Sequence, residues 1–123
     1  MIPIPPNPSA IAASLNELSA YVHANAREKG FHPDDQDELT FIKGTVSNIH
    51  GEVSEFWEAA RSGQLRKQCD KDVHLSCGEE ELADIIIRAL DTAARLGIDI
   101  GNAVVVKHRY NTSRSHMHGG KLA

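Results

Sequence analysis

The sequence predicts an all-α fold, a four-helix bundle, on three observations. Apolar residues recur at steps of three and four in four separate stretches. Glycines stand just past the ends of three of them, at Gly30, Gly63 and Gly97. Strand-type alternation is absent, and no internal repeat is visible. At 123 residues the chain is long enough for one hydrophobic core and too short for two.

Met1 to Pro8 forms a Pro-rich N-terminal segment, because Pro3, Pro5, Pro6 and Pro8 lack backbone donors. The helical domain is expected over 9–114. Its first helix runs from Ala10 to Lys29, with Ser9 as the expected N-cap and Ile11, Leu15, Leu18 and Val22 on one stripe. A second helix runs from about Glu38 to Arg61. Its stripe is Ile42, Val46, Ile49, Val53, Phe56 and Ala60, the pattern of a two-helix seam. Gln64 to Gly78 reads as a long polar loop with room for a short helical turn; a loop of that length in a small domain is often functional. The third helix is expected from Glu79 to Leu96, with Leu82, Ile86, Ala89, Ala93 and Leu96 as its apolar stripe. Asp99 caps a fourth, from Ile100 to Arg114. Ser115 to Ala123, with Gly119-Gly120, is a flexible C-terminal tail.

Composition narrows the function classes. The formal charge is −4, which offers no electrostatic footprint for a nucleic acid polymer. No stretch has the unbroken apolar length of a membrane span, and the N-terminus lacks the basic-then-apolar order of a signal peptide. Cys69 and Cys77 flank His74 in the long loop, but these spacings fit no zinc pattern well, and the simple reading is two cytosolic thiols. A cytoplasmic location is the expectation.

The chemistry concentrates in two acidic doublets, Glu52-Val53-Ser54-Glu55 and Glu81-Leu82-Ala83-Asp84. Three positions along a helix are about 4.5 Å of rise on nearly one face. Carboxylates beside a half-buried seam are costly unless a cation neutralises them. Two such helices face to face would gather four carboxylates, the oxygen-rich environment that Mg²⁺ or Mn²⁺ prefers. The plain alternative is a solvated face, and Glu79, Glu80 and Glu81 could simply favour a helix N-terminus. Asp84 resists that reading, because Asp is a poor mid-helix residue and Ile85-Ile86-Ile87 follows at once. On the fourth helix, Lys107, Asn111 and Arg114 share a face, as a phosphate-binding surface would require, although a basic last turn also suits the helix dipole. Trp57 is read as core in preference to a base-stacking residue, and His50 as a packing residue. Lys43 and Arg88 have the reach for a ligand, but their orientation is not legible in sequence.

Together these motifs resemble the MazG-like all-α nucleoside triphosphate pyrophosphohydrolases. Glu52-x-x-Glu55, Glu81-x-x-Asp84 and Lys107-x-x-x-Asn111 match the order and spacing of that family's hallmark. Ala26-Arg27-Glu28-Lys29-Gly30-Phe31, Ile49-His50-Gly51-Glu52, Leu96-Gly97-Ile98-Asp99, Tyr110-Asn111-x-x-Arg114 and His118-Gly119-Gly120-Lys121 are similar to small stand-alone members, so the likeness covers about residues 20 to 121. Two departures stand out: Gly51 replaces an acid that many members carry, and Ser115 replaces a common Pro.

The resemblance implies Mg²⁺-dependent cleavage of an NTP or dNTP between the α and β phosphates, giving a nucleoside monophosphate and pyrophosphate, for house-cleaning of the nucleotide pool. Glu52, Glu55, Glu81 and Asp84 would be the catalytic metal ligands, with Mn²⁺ able to substitute. Lys107, Asn111, Tyr110 and Arg114 would bind substrate. It also implies a homodimer or homotetramer, a dimer of dimers. Two other classes compete: a nucleotide-binding regulator without turnover, and a structural helical interaction module.

Overall fold

The computed structural model describes residues 5–114. Four α-helices follow one another, and the described residues include no extended strand. The expected tail, Ser115 to Ala123, and His116 and His118 within it lie outside the described residues.

Helix α1 spans Pro8–Glu28. Its N-cap is Asn7, whose Oδ1 accepts from the Ala10 amide at 3.1 Å, two residues before the expected Ser9. Pro8 is therefore helical. At the first helical position its missing N–H costs nothing and its fixed φ is already suitable. Helix α2, Glu38–Arg61, has its expected bounds and is capped by Asp37, which accepts from the Thr40 amide at 2.7 Å. Helix α3, Cys77–Arg95, starts two residues earlier than expected. Ser76 and Glu79 form a capping box there: Ser76 Oγ accepts from the Glu79 amide at 3.1 Å, and Glu79 accepts from the Ser76 amide at 2.8 Å. Helix α4, Ile100–Thr112, is capped by Asp99 and ends before Arg114.

The first three helices terminate alike. Gly30, Gly63 and Gly97 adopt φ of 87°, 76° and 68°, and the residue after each returns its amide to a carbonyl five positions back. These are Schellman ends, and their left-handed backbone is the reason for glycine at each.

The loop between α2 and α3 is ordered by main-chain bonds. An antiparallel bridge joins Gln68 to Ser76, and the Cys77 and Gly78 amides reach the carbonyls of Lys67 and Leu65, each at 2.8 Å. Cys69 is buried in this loop; both it and Cys77 are free thiols.

Helix α3 is the hub, packed against both α1 and α2, while α4 lies mainly on α1. Polar pins fix these contacts. Ser19 on α1 donates to the Leu90 carbonyl at 2.7 Å, and Thr45 on α2 meets Thr92 on α3 at 2.7 Å. Asn16 on α1 holds the start of α4: its amide donates to Asp99 and its carbonyl accepts from the Gly101 amide, each at 2.8 Å. The core is slight, with Phe41, Leu90, Ala93 and Cys69 its buried apolar residues among those described. The α2 stripe is not closed by the described residues: Val46 and Val53 are each 48% exposed. Trp57, read as core, is 63% exposed, and His50 is exposed too, because both fall on the side of α2 turned away from α3. No described helix is long and apolar enough to cross a membrane.

Candidate metal centre

Helices α2 and α3 pack side by side and bring their acidic doublets together. Glu52, Glu55 and Glu81 each offer a carboxylate oxygen within 4.8 Å of the others. Asp84, one turn beyond Glu81, lies close enough for Glu52 to act on its charge, and it shares a cavity wall with Glu52. Three of the four expected ligands thus form one cluster and the fourth borders it.

The cluster carries the marks of charge without enough compensation. Glu52 is mostly buried, and its Oε1 accepts from Arg88 Nε at 2.9 Å. Its Oε2 is buried with no partner among the described residues, as is Oε2 of Glu81. Burial raises the Glu81 carboxyl to about 7, and a hydrogen bond and repulsion from Glu55, with further repulsion from Glu80 and Glu52, push the same way. Burial also raises Asp84, aided by Glu52 and Glu80 and opposed by the Arg88 guanidinium. Two orphaned buried carboxylate oxygens in a hard-oxygen donor set are what a divalent cation would satisfy. The residues present therefore fit Mg²⁺ or Mn²⁺. Glu79 and Glu80 have other tasks: Glu79 completes the capping box, and Glu80 receives Lys71 from the long loop at 3.1 Å.

Beside the cluster, a cavity of about 300 Å³ opens between α1, α2 and α3. Glu52, Asp84, Arg88 and Asp91 are charged groups of its wall, and Phe31, His32, Phe41 and the amides Asn25, Gln36 and Asn48 form much of the rest. Charged, aromatic and amide side chains thus line one cavity, the mixed lining of a small-molecule site.

A second polar cluster was not anticipated. Asp91 on α3 accepts from His23 Nδ1 at 2.7 Å and from His32 Nε2 at 2.8 Å. The two rings meet edge to face, with centroids 4.6 Å apart, and His32 also packs on Phe41. Asp91, like Asp84, is an aspartate in mid-helix among apolar neighbours, and that signal was available in the sequence.

The fourth helix is not at the cavity within one chain. Lys107 and Asn111 line a shallow depression of their own with Ala103, Val104 and His108. Lys107 Nζ and the Arg114 guanidinium both lie over the Tyr110 ring, 4.7 and 5.5 Å from its centroid. The expected face exists on α4, but α4 packs on α1, and α2 carries the first acids elsewhere. Comparison with protein-family models, with curated proteins and with solved structures finds no match.

Proposed function

We propose that this protein is a Mg²⁺-dependent nucleoside triphosphate pyrophosphohydrolase of the MazG-like type. It would cleave an NTP or dNTP between the α and β phosphates and release pyrophosphate. The observation that carries the reading is the convergence of Glu52, Glu55 and Glu81 with two unpartnered buried oxygens, beside a cavity of about 300 Å³.

Glu52, Glu55, Glu81 and Asp84 would hold the metal, which supplies Lewis-acid charge at phosphate oxygens and makes an attacking water more acidic. One carboxylate of the cluster, Glu55 or Glu52, would also take the proton from that water as general base. The aromatic and amide wall of the cavity would receive the base and sugar and keep bulk water from them.

A second copy of the chain belongs to this reading. Val46, Val53 and Trp57 on α2, with Leu82 and Ile86 on α3, are all more than 40% exposed, an apolar surface that a symmetric partner would cover. Assembly is also the route by which Lys107, Tyr110, Asn111 and Arg114 of one copy would approach the cavity of another. The decisive experiment is a screen of common and modified NTPs and dNTPs with Mg²⁺, with product analysis. Monophosphate and pyrophosphate are expected; orthophosphate release, or no turnover of any nucleotide, would refute the proposal.

A further inference from the structure

Among the described residues, Arg88 is the single Lys or Arg side chain on the cavity wall. Its Nε is bound to Glu52 Oε1 at 2.9 Å, while its two Nη groups have no hydrogen bond among the described residues. The side chain is 36% exposed, against 12% for Glu52. One edge of the guanidinium is thus anchored on the acidic cluster, and the rest is open to a ligand.

A lone cation on this wall faces an imbalance. Glu52, Asp84 and Asp91 line the same cavity, with Glu55 and Glu81 beside it. Before a divalent cation enters, Arg88 is the compensating charge for Glu52. A divalent cation that takes both oxygens of Glu52, the unpartnered Oε2 and the Oε1 now bound to Arg88, frees the guanidinium on a wall where it is 36% exposed and leaves it in need of another anion. A polyphosphate answers that need, because the planar fork pairs bidentately with phosphate oxygens.

We propose that Arg88 is a phosphate-gripping residue of this cavity, exchanging Glu52 for a polyphosphate oxygen when metal and nucleotide bind. The proposal rests on the metal-centre reading above. It assigns the grip within one chain to α3, and it makes Arg88 a competitor for the metal when phosphate is absent. Metal and polyphosphate then favour each other's binding.

The test is calorimetric titration of Mn²⁺ alone, and of inorganic tripolyphosphate at saturating Mg²⁺, into the parent and into Arg88→Gln and Arg88→Lys. Arg88→Gln should bind tripolyphosphate at least about tenfold more weakly, the scale of one charge-assisted hydrogen bond. The same variant should bind Mn²⁺ alone more tightly than the parent, because Glu52 has lost its rival. Arg88→Lys keeps the charge without the fork and should fall between on tripolyphosphate; it carries the test should Arg88→Gln not fold. Loss of a nearby positive charge alone would also move the two affinities in opposite directions, so Arg88→Lys separates the readings: charge alone leaves its tripolyphosphate affinity at the parent's value, and a grip by the guanidinium fork weakens it. Unchanged tripolyphosphate affinity in both variants, with the parent binding both probes, overturns the role of Arg88 and leaves the metal centre standing. A parent that binds neither probe overturns the metal-centre reading itself.

Discussion

Raising the pH should destabilise the metal-free protein across a defined window, and Glu81 sets that window. Its folded carboxyl stands at about 7 against an ordinary value of 4.5. Below pH 4.5 both the folded and unfolded chains hold the proton, so the group is silent. Between 4.5 and about 7 the unfolded chain releases it while the folded chain keeps it, so stability falls as pH rises. Above about 7 both are ionised and the loss is complete. A gap of about 2.5 corresponds to about 3.4 kcal/mol. Solvent still reaches part of this side chain, and screening reduces the expected loss to about 1–2 kcal/mol. Asp84 is shifted the same way and adds to it. The capping carboxylates Asp37, Glu79 and Asp99 are held low by their hydrogen bonds, so their stabilisation is lost only as pH falls below the ordinary range. A chelated sample should therefore lose about 4–8 °C of Tm between pH 5 and 7.5. Glu81→Gln should flatten most of that slope, and saturating Mg²⁺ should restore stability most at the higher pH. A metal-free Tm that is level or rises across the window, or a Glu81→Gln variant with the parent's slope, would refute the account of the cluster.

Other predictions follow from the same contacts. Glu55→Gln should leave a folded protein and abolish most nucleotide turnover; parent-like turnover at saturating Mg²⁺ would remove Glu55 from the site. Light scattering at micromolar concentration should report a dimer or tetramer, since the α2 stripe is left uncovered by the described residues; a monomer mass would contradict it. Gly101→Ala would drive a Cβ into the Ala12 carbonyl on α1, and denaturant titration should show a loss of at least about 2 kcal/mol. Asp91→Ala would strip the shared acceptor from His23 and His32, and the same titration should show a cost of about 2–3 kcal/mol; a neutral result would mean that neither ring depends on it.

Much of this protein was legible in one dimension. Helical periodicity and the glycines after three helices fixed the four elements, because both signals are local: the 3.6-residue period and the left-handed turn need no distant partner. The bounds of α2 came out as read, whereas α1 and α3 each began two residues early. Proline at a first helical position and a capping box built from Ser76 were the local alternatives that prevailed. The acidic doublets were legible for the same reason, since three-residue spacing places their carboxylates on one face of any helix.

What lay beyond the sequence was which faces meet. Packing of α3 between α1 and α2 joined Glu52 to Glu81, placed Arg88 against Glu52, and drew His23 and His32 onto Asp91 across 59 or more positions of chain. It also left Trp57 outside the core and set Lys107 and Asn111 apart from the acids. Helical periodicity gives each side chain an angle about its own axis, but the rotation of one helix against another is decided by how their ridges and polar pins fit together. The sequence by itself therefore determined the helices and the acidic faces, and only the tertiary structure decided which cation stands beside the acids.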